Sequence, residues 1–227
     1  MLLDQSFGQT FTRQLLCKME RQMGKPVRVH GFVLGGGEST RMGRDKARLR
    51  LGNTILILRA AQVLEPFVSE VTLLAPPERF GRLWPSVIAD RWPNQGPLGA
   101  ICTGLLHSQA EWNVFLACDI PLVSRHFVDL LIRRLRTTSS DAVVPREGNK
   151  WHPLTAAYHA RCGEICATAF EEGERSVVRL LDNMRVDVIT PADMLAAGIS
   201  PEELTNVNTP EDWERIKRLS RRLRRPG

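Results

Sequence analysis

Apolar positions along the chain keep two rhythms. Short, nearly continuous apolar runs such as Val29-His30-Gly31-Phe32-Val33-Leu34 and Asn113-Val114-Phe115-Leu116-Ala117-Cys118 have the character of strands buried on both faces. Runs of this kind predict strands near 28–34, 69–75, 86–90, 112–118, 141–145 and 152–158. Between them, apolar residues recur at helical spacing and predict helices near 54–65, 97–109, 124–136, 160–172 and 210–223. The alternation implies an α/β fold: a doubly wound, mostly parallel sheet with helices on both faces, three layers in all. Ligands of such sheets sit beyond the carboxyl ends of the strands.

Residues 1–26 stand apart as an N-terminal extension, and 27–227 read as a single domain. In the extension Leu3, Phe7, Phe11, Leu15, Met19 and Met23 recur every four residues, an amphipathic helix that Gly24 and Pro26 end. A period of four drifts about 40° per step around a 3.6-residue helix, so the stripe winds. It suits packing on the body or a dimer contact, and a mis-assigned start accounts for it equally.

The length of 227 residues suits one α/β domain with small additions, and 43% hydrophobic with 25% charged residues is ordinary for a globular chain. No apolar run approaches a membrane span, and the N-terminus lacks a secretory pattern, so a cytoplasmic location without membrane association is expected. The net charge of +6 looks at first like a nucleic-acid signal. Its distribution argues otherwise. Seven basic and no acidic residues fall in the tail 215–227, and setting them aside leaves 24 basic against 25 acidic residues. The excess reads as a solvated helix end, with no nucleic-acid partner expected. Five cysteines, an odd number, point to a reducing compartment rather than a disulfide framework. Cys162 and Cys166, with His159 nearby, would share a helix face, but three local ligands fall short of the usual four. Buried helix cysteines are the better reading.

The strongest chemical signal is Gly35-Gly36-Gly37-Glu38-Ser39-Thr40-Arg41-Met42-Gly43-Arg44-Asp45-Lys46, directly after the first strand. Small residues let backbone N–H groups approach phosphoryl oxygens, and Arg41 and Lys46 supply cations. A Walker A loop needs four residues between its glycines and then Lys and Ser/Thr. Here Gly37 and Gly43 are separated by five, and Arg44 follows. The dinucleotide fingerprint fails because Thr40 stands where its third Gly belongs.

A second constellation follows the 112–118 strand, where Asp119 projects from the strand's carboxyl end. A carboxylate there can hold Mg²⁺ while nucleotide phosphates supply further oxygens. Capping the next helix is the plainer role, but Ser124 is better placed for it. Asp90 ends another strand, and the rigid turn Asn94-Gln95-Gly96-Pro97-Leu98-Gly99 suits lying against a base. In Asn206-Val207-Asn208-Thr209-Pro210, Thr209 and Pro210 fit the start of a helix, leaving the amides of Asn206 and Asn208 for a ligand.

With these residues in place, the chain resembles the MobA-like nucleotidyltransferases. The resemblance rests on Gly36-Gly37-x-Ser39-x-Arg41-Met42-Gly43-x-Asp45-Lys46, with Gly96-Pro97-Leu98-Gly99, Cys118-Asp119-Ile120-Pro121, His152-Pro153-Leu154-Thr155, Gly173-Glu174-Arg175-Ser176 and Asn206-Val207-Asn208-Thr209-Pro210 in the family's order over residues 28–216. It implies a Rossmann-like nucleotidyltransferase fold with a nucleotide-binding half (27–120) and an acceptor-binding half (121–214). Leu34, Gly35, Gly36, Gly37, Ser39, Lys46, Asp90, Gly96, Pro97, Leu98 and Asp119 would bind nucleotide. Arg41, Lys46 and Asp119 would be catalytic, with Asp119 also the Mg²⁺ ligand, and His152, Asn206 and Asn208 would face the acceptor. The implied reaction moves GMP from GTP to the terminal phosphate of molybdenum-bound molybdopterin, releasing pyrophosphate, with transient contact to cofactor-delivery or molybdoenzyme proteins. Use of CTP, another phosphorylated acceptor, or non-catalytic nucleotide binding by a regulator are the alternatives. One departure is Gly35, where the family usually carries Ala.

Overall fold

The computed structural model describes residues 27–35 and 45–223. The N-terminal helix expected over 1–26 lies outside the described residues. In chain order the elements are β1 (Val29–Leu34), β2 (Arg50–Leu51), β3 (Thr54–Ile55), α1 (Leu56–Leu64), β4 (Glu70–Leu74), α2 (Pro77–Phe80), β5 (Val87–Ile88), α3 (Pro97–His107), β6 (Trp112–Ala117) and α4 (Arg125–Leu135). Then follow β7 (Ala142–Glu147), β8 (Lys150–Trp151), β9 (Thr155–His159), α5 (Cys162–Glu171), α6 (Val177–Leu181), β10 (Val186–Ile189), α7 (Pro191–Ala196) and α8 (Pro210–Leu223).

The main sheet runs β10-β7-β9-β6-β1-β4-β5, with β8 hydrogen-bonded to β7. Pairings β6–β1, β1–β4, β4–β5 and β10–β7 are parallel. β9 runs antiparallel to both of its neighbours, β6 and β7. The small β2–β3 hairpin stands apart.

Every residue of β1 and β6 is buried, as the apolar runs require. Alternate side chains feed two cores. Val29 and Val33 of β1, with Trp112, Val114 and Leu116 of β6, face α1 and α4. Phe32, Leu34 and Phe115 face α3 and α5. A Cβ on Gly104 would come within 2.6 Å of Phe115 Cε1, so this glycine sets how closely α3 lies on β6. Helix starts follow their caps. Ser124 accepts a hydrogen bond from the Phe127 amide at α4, and Thr190 and Asp193 form a capping box at α7.

Three expectations change. The strand expected over 152–158 begins only at Thr155, because His152-Pro153-Leu154 forms the turn between β8 and β9. The strand at 86–90 shortens to Val87–Ile88. β10 and the short helices α2, α6 and α7 are additional. β10, at the sheet edge, reads Val-Asp-Val-Ile over four residues with three of them only half-buried, a weak apolar signal.

At the amino end of β7, Asp141 ties three elements together. It accepts hydrogen bonds from Arg161 Nε at 2.5 Å, Arg185 N at 2.8 Å and the Arg185 guanidinium at 3.3 Å. Burial raises its pKa, but the Arg185 and Arg161 hydrogen bonds outweigh burial and bring it down to about 2. A carboxylate with a depressed native pKa stabilises the fold above its unfolded pKa and loses that contribution as the pH falls through the native value. Asp141→Asn should therefore cost about 2 kcal/mol at pH 7, and the gap from wild type should close as the pH falls from about 4 to about 2. Urea unfolding at a series of pH values measures this, and a gap independent of pH would remove the carboxylate from the explanation.

Candidate active site

The parallel pairing of β1 with β6 sets Leu34 beside Ala117, and the Cys118 amide donates to the Leu34 carbonyl at 3.1 Å. The glycine-rich loop and Asp119 thus leave adjacent strands on one carboxyl rim. Gly35 N–H donates to the Leu74 carbonyl at 3.0 Å. Its amide therefore continues the sheet. Gly36, Gly37, Ser39 and Arg41 lie outside the described residues.

Beyond the loop the chain turns through a 3₁₀ segment, Lys46–Arg48. Asp45 caps it, accepting from the Ala47 amide at 3.1 Å, and is ion-paired with Arg79. The cap aims Lys46 across the rim, where its Nζ donates to Asn208 Oδ1 at 2.9 Å. The two residues are 162 positions apart.

Asp119 is half-buried at the end of β6. Ile120 N donates to Ala117 O at 3.2 Å, and Arg59 Nε donates to Pro121 O at 2.6 Å, holding the turn to α1. Its backbone carbonyl accepts from the Val207 amide at 2.8 Å, and Asn206 Nδ2 lies 3.5 Å from Oδ1. Burial raises the Asp119 pKa, while Lys46 and the Asn206 amide oppose it. The residues after Asn206 are held by the start of α8. Thr209 Oγ1 accepts from Asp212 N at 3.1 Å, and the Asp212 carboxylate accepts from the Asn208 and Thr209 amides, both at 2.9 Å. Lys46, Asp119, Asn206 and Asn208 are thereby brought into one cluster.

Two cavities flank this cluster. One, of about 650 Å³, is lined by Leu34, Leu74, Asp90, Asn94, Gly96 and Pro97 among others. Asp90 Oδ1 accepts from Thr103 Oγ1 at 2.8 Å and from the Trp92 amide at 3.0 Å, which fixes the carboxylate at the cavity wall. Gly96 has φ +89° at the entry to α3, a left-handed conformation that favours glycine. Leu98 does not face this cavity. It is fully buried in the core under α3, because it points inward from the helix's first turn. The other cavity, of about 790 Å³, is lined by Lys150, Trp151, His152, Arg175, Asn206 and Asn208, with Arg179 and Arg215 also on its wall. Both cavities include Pro97 and Leu154. Arg215, grouped by sequence with the basic tail, therefore belongs to the second cavity.

His152 is 4% exposed, and its Nε2 has no hydrogen-bond partner among the described residues. Burial, helped by Lys150, lowers its pKa to about 4, so the ring is neutral near pH 7 and can give or take one hydrogen bond. Cys162 and Cys166 are buried as expected, and Cys162 Sγ donates to the Asp141 carbonyl. Among the described residues no group of three or more His, Cys, Asp or Glu is arranged to hold a metal. A single rim carboxylate suits Mg²⁺ shared with a ligand's phosphates rather than an all-protein cage.

Sequence reasoning missed the Asp45–Arg79 pair behind Lys46 and the Arg59 clamp on Pro121. Long-range pairs of this kind leave no local pattern. It also missed Trp151 and Lys150, although they adjoin the quoted His152-Pro153-Leu154-Thr155 segment.

A family model described as the MobA-like NTP transferase domain matches residues 31–188. A Vibrio vulnificus protein named molybdenum cofactor guanylyltransferase is 28% identical over 200 residues, covering 87% of this chain and 99% of its own length. A Bacillus licheniformis protein named "Probable molybdenum cofactor guanylyltransferase" is 35% identical over 191 residues, covering 82% and 94%. A solved structure from Archaeoglobus fulgidus, described as molybdopterin-guanine dinucleotide biosynthesis protein A, superposes with a TM-score of 0.75 at 22% identity, covering 85% of this chain and 99% of that one.

At Gly35, the terminal Cδ1 of Ile57 fills the space a Cβ would take, with Ala75 Cβ 3.2 Å away. Ile57 is fully buried, so it has little room to yield. Gly35→Ala should destabilise the protein by roughly 1–2 kcal/mol through overpacking. Adding Ile57→Val, which removes Cδ1, should recover most of that loss. Thermal unfolding of the single and double variants checks it, and simple additivity would refute the steric account.

Proposed function

The chain belongs to the MobA-like NTP transferase family, and from that premise we propose that it transfers GMP from GTP to molybdenum-bound molybdopterin, with Mg²⁺ as cofactor and pyrophosphate as the second product. The observation that carries this is the cluster of Lys46, Asp119, Asn206 and Asn208 beside two cavities that share Pro97 and Leu154. Donor and acceptor can be held side by side there. The cavity with Asp90, Gly96 and Pro97 takes the nucleoside, within a donor half of 27–120. The cavity with His152, Asn206 and Asn208 takes the acceptor, chiefly within 121–214. A cytoplasmic setting fits these substrates.

The acceptor phosphate is already an anionic nucleophile, so no side chain is needed to activate it. The protein's work is orientation for in-line attack on the α-phosphorus and compensation of charge. Lys46, cross-linked to Asn208, straddles the junction between the two substrates and can exchange the amide for phosphate oxygens. Arg41 adds a second cation from the loop. Asp119 would hold Mg²⁺ together with nucleotide phosphates, and the ion's part is to offset negative charge on them. Asn206, against Asp119 Oδ1, orients that carboxylate. The neutral His152 can bond a polar edge of the acceptor without adding charge. Lys150, Arg179 and Arg215 give the acceptor cavity a cationic wall.

Thermal unfolding with Mg²⁺ and each NTP tests the base. GTP at about 100 times its Kd should stabilise the protein by about 2.7 kcal/mol. A shift with CTP and none with GTP assigns the cytidylyl reaction instead. No pyrophosphate release with any NTP and the molybdopterin acceptor would favour a non-catalytic regulator.

Loss of the Lys46 cation should lower turnover about 10²-fold or more in Lys46→Ala. Pyrophosphate release under saturating substrates measures it, and near-normal turnover takes Lys46 out of the mechanism.

A further inference from the structure

Arg175 lies on the wall of the acceptor cavity, yet its hydrogen bonds run elsewhere. Nη1 donates to the Phe170 carbonyl at 2.8 Å and to the Glu174 carbonyl at 2.7 Å. Nη2 donates to Gln95 Oε1 at 3.0 Å, across 80 positions of sequence. The guanidinium carbon sits 3.9 Å from the centroid of the Phe170 ring. That ring packs on Trp92, centroid to centroid 4.7 Å, and the Trp92 amide donates to Asp90 Oδ1. A Cβ on Gly96 would meet the Arg175 carbonyl at 3.4 Å and its Cβ at 3.6 Å. Gly99 is as tightly placed, its Cβ position 3.2 Å from Trp92 and 3.4 Å from Phe170. The segment 92–99, which supplies Asn94, Gly96 and Pro97 to the nucleoside cavity, thus rests on 170–175. Glu174 completes the seat by accepting from the Arg175 and Ser176 amides, both at 2.7 Å.

We infer that Arg175 is a positioning residue for the nucleotide, a strut that holds the Gln95-Gly96-Pro97 turn in its nucleotide-receiving shape from the acceptor side. The inference rests on the reading of the first cavity as the nucleoside site. Both hydrogens of Nη1 and one of Nη2 are engaged within the protein, and the ring stack fixes the plane of the fork. Lys150, Arg179 and Arg215, which are exposed on the same cavity wall, are the cations left to meet an anionic acceptor. A lysine cannot replace the strut, because one ammonium cannot reproduce a planar fork that reaches two carbonyls and an amide while lying on a ring.

The test separates donor from acceptor. Calorimetric titration of the wild-type protein with GTP and with CTP, in Mg²⁺ and without acceptor, first establishes which nucleotide binds. A preference for CTP overturns the base assignment and leaves the strut to be tested with CTP. Arg175→Met, which keeps an apolar stem on Phe170 but no donors, should then weaken nucleotide binding about fivefold. It should change the acceptor KM less than twofold. Arg175→Lys should not restore nucleotide affinity. Gln95→Ala, at an exposed side chain, should weaken nucleotide binding in the same direction. The two changes together should cost less than the sum of the single losses, because they remove one interaction. Unchanged nucleotide affinity in Arg175→Met with a raised acceptor KM overturns the inference, as do additive losses in the double variant. Thermal unfolding of each variant excludes a general loss of structure as the cause.

Discussion

The site depends on one pairing. β1 and β6 lie side by side, parallel and in register from Val29↔Trp112 to Leu34↔Ala117. Both are buried along their whole length, so a shift by one residue would turn each alternating set of side chains into the wrong core. Because the register is held, Gly35 and Asp119 emerge at matching heights on one rim. Lys46 and Asp119 owe their proximity to the sheet. Asp45, clamped by Arg79, fixes the chain just ahead of Lys46.

The second cavity is built by breaking the parallel rule. β9 lies antiparallel between β6 and β7, with Leu116 opposite Thr155. Its amino end therefore sits at the carboxyl rim, and the turn His152-Pro153-Leu154 just before it joins the cluster. A parallel strand in that slot would present its carboxyl end instead and send those residues to the far edge. Tyr158 pins the turn by donating to the Pro153 carbonyl at 2.7 Å. The same reversal places Leu154 on the wall of both cavities.

Much of this was legible in the chain, for a physical reason. Strands buried on both faces leave unbroken apolar runs, and rim residues follow them directly, so Leu34, Gly35 and Asp119 could be placed from pattern alone. The cap of α8 was equally legible, since Thr209 and Pro210 account for the helix start and release Asn206 and Asn208 from it. The Leu98 side chain faces the core because the turn rich in Gly and Pro ends where the inward face of α3 begins. The late start of the 152–158 strand, at Thr155, was missed because Pro153 in an otherwise apolar stretch signals an interruption that the apolar count hides. Arg59, Arg79 and Arg175 act through partners 62, 34 and 80 positions away, and no local spacing encodes such pairs.

Burial and charge at the rim work against each other. Asp119 is drawn far enough from water to raise its pKa, which makes an unaccompanied carboxylate costly there. Lys46 offsets part of that cost, but its Nζ also holds Asn208. An incoming triphosphate adds negative charge to the same few ångströms and competes for the same ammonium. It needs further cations to settle, which on the proposed reading are Arg41 and a divalent ion on Asp119. The carboxylate and the polyphosphate each make the metal more favourable for the other, so metal and nucleotide should bind with positive coupling. On the proposed reading, a nucleotide that took Lys46 would also release Asn208 Oδ1 on the wall of the second cavity. The one Lys46–Asn208 hydrogen bond thus links the rim to the wall of the second cavity.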